Sequence, residues 1–222
     1  RDNYQRRLLQ AYSYLAAHYP ETGYTTRILS YDPLMIYIEG FIPKHERDYI
    51  LALGCVPFPL HGGNGQETQQ LTASCMLLQH ASLRAIHSPG FNGTSHPSAG
   101  RTSSTALLPE EDPVVARITA RAAAFQGFAP VYSLEPLQLT RSRAGQEYKA
   151  HLDHFHDVVP PDKTDRVTTI FAVLEATCEN CGTSFPRLSV DWAKESPKWC
   201  QFVECDNVDA LTVRAVPGNA LF

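Results

Sequence analysis

Three His and two Asp fall within His151-Leu152-Asp153-His154-Phe155-His156-Asp157, directly after Tyr148-Lys149-Ala150, the densest polar cluster in the sequence. On an extended strand, alternation sends His151 and Asp153 to one face and His154 and His156 to the other. His-x-Asp on one face offers an imidazole nitrogen and a carboxylate oxygen to a single ion. A second imidazole from elsewhere would complete a two-His, one-carboxylate face suited to Fe(II), with coordination positions left open. The competing reading is a solvated polar loop, and His-x-Asp by itself is too common to decide between the two.

A second group with chemical potential is Cys178, Cys181, Cys200 and Cys205, all late in the chain, whereas Cys55 and Cys75 stand apart. Four thiolates at these spacings would satisfy the tetrahedral preference of a structural zinc. Strand-like sequence around both pairs favours one or two disulfides bracing a β-rich region in an oxidising compartment, with buried free thiols as a third reading. Four cysteines allow three full pairings, and spacing does not choose among them. Asn92-Gly93-Thr94 is a glycosylation sequon in a Gly/Pro/Ser-rich stretch. Together these features point to the endoplasmic reticulum or the secretory route, with a cytoplasmic location as the alternative. The sequence starts at Arg1, so a signal or anchor upstream is compatible with it.

These side chains need elements to hold them. Asn3 can cap a helix over residues 3–18. A β-rich run from Tyr31 to Ile38 leads to Pro43, which suits the first turn of a helix over about 43–53 that stops at Gly54. Residues 51–100 carry only Glu67 and Arg84 as formally charged side chains, against seven Gly and four His. No period persists there, so the stretch reads as an insertion or long loop, with any helix falling around Thr72–Ile86. Asp112 and Pro113 then supply an N-cap and first-turn residue for a helix whose Val114, Ile118, Ala122 and Phe125 share one face. Short strand-like runs follow at Pro136–Ser142, Arg166–Leu174, Thr183–Phe185, Trp199–Val203, Leu211–Val213 and Ala220–Phe222. Helices first and many short strands afterwards predict an α+β, mainly β fold: an antiparallel sandwich with helices packed on one sheet. The 222 residues suffice for one domain with a real core. A net charge of −4 argues against a nucleic-acid-binding surface. No apolar run is long enough to span a membrane.

In order along residues 32–222, the chain resembles the catalytic domain of prolyl 4-hydroxylases, within the Fe(II)/2-oxoglutarate-dependent oxygenases. The stretch from Asp32-Pro33 through Ile38-Glu39-Gly40-Phe41-Ile42 is similar to the family's leading strand. Arg101-Thr102-Ser103-Ser104 and Asp112-Pro113-Val114-Val115-Ala116-Arg117-Ile118 resemble the approach to its main helix. The most specific segment runs from Glu135-Pro136-Leu137-Gln138 to Gly145-Gln146-x-Tyr148-x-x-His151-x-Asp153-x-Phe155-His156-Asp157. Arg166-Val167-Thr168-Thr169, Gly182-Thr183-x-Phe185-Pro186 and Pro217-Gly218-Asn219-Ala220 follow in order.

The resemblance implies a double-stranded β-helix, or jelly roll, with N-terminal and supporting helices and iron at its open end. Residues 1–54 would supply N-terminal helices and the leading strand, 55–100 an insertion, and 101–222 the main helix and jelly-roll core, all in one domain. His151 and Asp153 would be two iron ligands, and Thr169 and Tyr148 would contact the cosubstrate. The implied reaction decarboxylates 2-oxoglutarate to succinate and carbon dioxide while hydroxylating an unactivated C–H of a peptidyl proline or a small natural product. Ascorbate is implied as an accessory cofactor. Three positions depart from the pattern: Ser142 stands where the family has a cosubstrate-contacting Tyr, Val173-Leu174 replaces Tyr-Leu, and Asn180-Cys181 replaces a Gly-rich turn. The family's second iron-binding His and the basic partner of 2-oxoglutarate come after the Pro-Gly-Asn-Ala strand, so they are expected beyond Phe222. The alternatives are a non-catalytic jelly-roll interaction module lacking those strands and a zinc-stabilised β domain.

Overall fold

In a computed structural model, residues 23–54, 80–87, 103–154, 165–179 and 181–222 are described. The expected helix over 3–18, Cys55, Cys75, Asn92 and His156 lie outside them. The strands are β1 (Thr25–Tyr31), β2 (Leu34–Glu39), β3 (His80–His87), β4 (Ser104–Leu107), β5 (Gln138–Ser142), β6 (Thr168–Ala176), β7 (Thr183–Phe185), β8 (Leu211–Val213) and β9 (Ala220–Leu221). Two α-helices accompany them among the described residues, α1 (Lys44–Leu53) and α2 (Pro113–Phe125). Seven strands form one sheet in the order β1-β2-β9-β6-β3-β5-β4, and β7 pairs with β8 in a second. Every one of these pairings is antiparallel. The fold is therefore mixed and β-rich, as the order of elements predicts.

Strand alternation divides the core into two layers. On β6, Ile170, Ala172 and Leu174 face the helices, where they pack with Ile38, Phe41, Ile50, Val115 and Ile118. On the opposite face, Met35 and Tyr37 of β2 and Leu221 of β9 pack with Leu211 and Val213 of the smaller sheet and with Val203. A strand buried on both faces reads as a continuous apolar run, which is how Ile170–Leu174 reads.

The helix boundaries follow capping chemistry. The Asp112 carboxylate accepts from the backbone N–H groups of Val114 at 2.8 Å and Val115 at 3.0 Å, and Pro113 occupies the first turn. Pro43 sits one place earlier than predicted, as the N-cap residue of α1. The helices are joined by a buried ion cluster. Glu46 of α1, 2% exposed, accepts from Arg117 Nε at 2.8 Å and from Arg121 Nη1 at 2.8 Å. Burial alone would raise the Glu46 pKa, but the hydrogen bonds and charges of Arg121 and Arg117 outweigh it and hold the carboxyl below its ordinary value.

Three expectations are corrected. Residues 80–87, read as loop or the end of a helix near Thr72–Ile86, form β3, held on both sides by β5 and β6. Partners remote in sequence decide that conformation. Trp199–Val203 is not a strand: Ser196 caps Lys198 N–H and Pro197 starts a 3₁₀ turn over Pro197–Gln201, leaving only Val203 bridged to Val213. The zinc reading fails because Cys178 is bonded to Cys181 and Cys200 to Cys205, so none of the four is a thiolate. Gly182, just after the first disulfide, has no room for a side chain, since a Cβ there would lie 2.6 Å from the Val213 carbonyl oxygen. This close approach is what lets β7 pair with β8. Among the described residues, no helix is long and apolar enough to cross a membrane.

Candidate metal centre

β5 delivers the chain to a tight turn in which Gln146 N–H donates to Arg143 O at 3.0 Å. Gly145 takes a φ of 76°, a left-handed conformation that glycine adopts without steric penalty. The Gln146 side-chain oxygen also accepts from Arg143 N–H at 2.9 Å. This turn aims Tyr148–His154 back across the start of β6. Residues 151–154 are irregular rather than a strand, so His151 and Asp153 are not aligned by pleating. Local hydrogen bonds bring them together instead.

His151 Nε2 lies 3.2 Å from Asp153 Oδ1, with the two side chains 29% and 25% exposed. The other imidazole nitrogen, Nδ1, is 2.8 Å from Lys149 O. A carbonyl can only accept, so that contact puts a proton on Nδ1 and leaves the Nε2 lone pair facing the carboxylate. Two facing acceptors call for a cation between them or a second ring proton. Adjacent ligands of an octahedral ion with bonds near 2.1 Å are about 3 Å apart, so this donor pair fits a divalent metal. Both side chains are also oriented from behind: Lys149 O holds the imidazole, and Thr169 Oγ1 donates to Asp153 Oδ2 at 2.8 Å. The Tyr148 ring stacks on His151 with centroids 3.7 Å apart and an interplanar angle of 21°.

The structure thus gathers His151, Asp153, Thr169 and Tyr148, the four residues singled out from the sequence. Thr169 contacts the Asp153 carboxylate, and Tyr148 contacts the imidazole. His154 turns away, its Nδ1 3.8 Å from Asp165 Oδ2. Among the described residues, no group of three or more His, Cys, Asp and Glu converges on one point.

One supporting interaction had no role assigned from the sequence. Arg166 Nε and Nη2 donate to the two Glu135 carboxylate oxygens at 2.8 and 2.9 Å, and Glu135 is 4% exposed. Gln138 Nε2 adds a contact to Glu135 at 3.2 Å. This bidentate pair joins the chain entering β5 to the chain entering β6, on either side of the His151 segment. The signal was present in the sequence as one charged residue just ahead of each of two strands, but their pairing depends on the sheet order.

Fold and site together define a β-rich α+β domain with an imidazole–carboxylate pair at the start of a central strand. No family model matches the chain. It is 35% identical over 160 residues to Prolyl 4-hydroxylase 2 of Arabidopsis thaliana, a match covering 71% of this chain and 45% of the relative. Probable prolyl 4-hydroxylase 3 of the same plant is 25% identical over 198 residues, covering 88% of this chain and 60% of the relative. Probable prolyl 4-hydroxylase 7 is 26% identical over 160 residues, covering 71% and 43%. The chain belongs to a prolyl 4-hydroxylase-like family. It spans about half the length of the curated relatives it matches.

Proposed function

We propose that this chain carries two of the iron ligands of an Fe(II)- and 2-oxoglutarate-dependent dioxygenase that hydroxylates an unactivated C–H. Its substrate would be a peptidyl proline or a small natural product. The observation that carries this reading is the Nε2–Oδ1 approach of His151 and Asp153, each ligand held by a hydrogen bond on its far side. In this reading the two sheets and their flanking helices belong to one jelly-roll domain. The second His and the basic partner of 2-oxoglutarate follow β9, beyond Phe222.

His151 and Asp153 would hold the iron, which when bound supplies the redox chemistry that couples 2-oxoglutarate decarboxylation to hydroxylation. The chain's own contribution is positional. Lys149 O fixes the imidazole tautomer, Thr169 fixes the carboxylate, and Tyr148 limits rotation of the His151 ring. The Glu135–Arg166 pair keeps the β5 and β6 entrances at a constant separation. Orientation of this kind lowers the entropic part of a barrier without itself making or breaking bonds. Ascorbate would serve as the accessory cofactor. The two disulfides fit a protein folded in an oxidising compartment such as the endoplasmic reticulum.

The test uses the full-length protein, whose reading frame past Phe222 should encode the His and the basic residue. With Fe(II) it should convert 2-oxoglutarate to succinate, and His151→Ala should abolish turnover. Unchanged turnover in that variant would remove His151 from the metal site. A frame that ends at Phe222, with no binding of Fe(II), would leave a non-catalytic jelly-roll module instead.

A further inference from the structure

Two of the cysteines stand where the chain crosses from one sheet to the other. Cys178 follows β6 by two residues and Cys181 precedes β7 by two, and β6 and β7 belong to different sheets. Their disulfide therefore closes a C-x-x-C segment at the point where the chain changes layers. Just beyond it, Gly182 is pressed against the Val213 carbonyl, so this end of the segment is held on the smaller sheet.

A brace so short holds little. The entropy that a bridge removes from the unfolded chain grows with the loop it closes, and a separation of three residues closes a very small one. What the sulfurs touch points to another use. Cys181 Sγ lies 3.3 Å from the Cys178 carbonyl oxygen. A bridged sulfur has no proton to donate, so this contact becomes a hydrogen bond only when Cys181 is a thiol. The same oxygen would repel a Cys181 thiolate, so on opening of the bridge the charge belongs on Cys178. Both residues are half-buried, which leaves the bond within reach of a small thiol.

The second disulfide supplies the contrast. Cys205 packs against the apolar cluster of the smaller layer, and Glu204 and Asp206 flank it in sequence. Attack at the exposed Cys200 would expel a Cys205 thiolate into apolar surroundings and between two carboxylates. Beside Cys178 stands one carboxylate, Glu179, exposed where water screens it.

We propose that Cys178–Cys181 is a thiol–disulfide exchange site that a dithiol reductant opens reversibly, while Cys200–Cys205 stays closed as a brace. A thiolate of the dithiol attacks Cys181 Sγ and forms a mixed disulfide. The S–S electron pair leaves on Cys178 Sγ, which takes a proton from water. The reductant's second thiolate then attacks its own sulfur in the mixed disulfide, and Cys181 departs and is protonated. Two electrons and two protons pass in total, and the dithiol ends as a cyclic disulfide. Opening frees the crossover, so β7 loosens while β6 keeps β3 and β9 beside it. None of this rests on the oxygenase reading.

The test equilibrates the folded full-length protein with dithiothreitol at graded ratios of reduced to oxidised form, followed by acid quench, alkylation and tryptic mapping. Cleavage after Arg166 and Arg187 puts one cysteine pair on a single peptide, and cleavage after Lys198 and Arg214 does the same for the other. Cys178–Cys181 should be half-reduced at a ratio about tenfold lower than Cys200–Cys205 requires, a gap of about 30 mV. Equal ratios would overturn the assignment. So would reduction of Cys178–Cys181 only in samples whose near-ultraviolet circular dichroism shows unfolding. Hydrogen exchange in the selectively reduced protein should be several-fold faster in β7, unchanged in α2 and β6, and restored by reoxidation. The Cys178→Ser, Cys181→Ser double variant should exchange equally fast in β7 without any reductant. Exchange in β7 that ignores the state of the bridge would overturn its control of the crossover.

Discussion

The Thr169 hydroxyl donates to the Asp153 carboxylate, and that makes its role testable apart from any contact with a cosubstrate. Thr169→Val keeps the shape and removes the donor. We expect divalent-metal affinity, measured by titration with Mn(II) or Co(II), to fall by about 10- to 100-fold, the usual consequence of losing such a support. Thr169→Ser should restore most of it. A variant that binds metal normally but raises KM for 2-oxoglutarate would instead assign the hydroxyl to the cosubstrate. Tyr37 offers a second single-residue test. Its raised pKa means that the folded state keeps the phenol neutral. The associated stability is complete below the unfolded value near 10 and is lost as pH rises toward 12. Tyr37→Phe leaves Asn219 Nδ2 without its acceptor, so at neutral pH it should lower stability by about 1–3 kcal/mol. The same change should flatten the alkaline limb of a urea-unfolding profile. At this scale the sequence was informative, because His-x-Asp spacing and a Thr at the start of an apolar strand are local patterns. The role of the Lys149 carbonyl was not legible, since any residue supplies one.

Between elements, a buried polar link is the Glu46 cluster that ties α1 to α2. Glu46→Gln would leave Arg117 and Arg121 buried beside a neutral amide. Breaking a buried pair in this way typically destabilises by about 3–5 kcal/mol. The pH dependence has a defined sign. Because the folded pKa is lowered, the contribution is present above the unfolded carboxyl value and is lost as pH falls through the lower folded value. Denaturation of the wild type should therefore show an acid limb that the Gln variant lacks, and equal acid limbs would refute the linkage. The cap at Asp112, the helix that follows it and the strands at Thr183–Phe185 and Leu211–Val213 could be read directly, since each is specified by neighbouring residues. The strand His80–His87 could not, because its partners lie more than 50 residues downstream. The turn at Pro197–Gln201 was misread for the opposite reason: Trp199, Phe202 and Val203 are good strand formers, yet Ser196-Pro197 fixes a local turn first.

For the whole molecule, the two layers differ in how they are held. The helix-side layer has an extensive apolar core, whereas the smaller layer rests on two three-residue strands, 3₁₀ turns and two disulfides. Replacing Cys200 and Cys205 together by Ser should lower stability by about 2 kcal/mol for so short a loop. The loss should appear first as faster hydrogen exchange in β7 and β8, with α2 and β6 protected as before. Uniform acceleration across both layers would argue for a single cooperative unit. The general class, α+β with antiparallel strands, was predictable from the order of elements. The sheet order was not, because nothing local shows that two residues near the end of the sequence pair with strands from its beginning and its middle.

That pairing has a consequence for how the protein is made. Ala220 and Leu221 lie between β2 on one side and β6 on the other, and among the described residues no other strand of the sheet joins the β1–β2 hairpin to the other four strands. A chain emerging from the ribosome can form the hairpin early and pair β3, β4, β5 and β6 later. The two parts then remain separate sheets with open edges until residues 220–221 clear the exit tunnel. Throughout that interval β2 and β6 present unpaired backbone groups to whatever is nearby, a known route to misassembly. Chaperone contact should therefore persist until β9 has been synthesised, and be released when it docks.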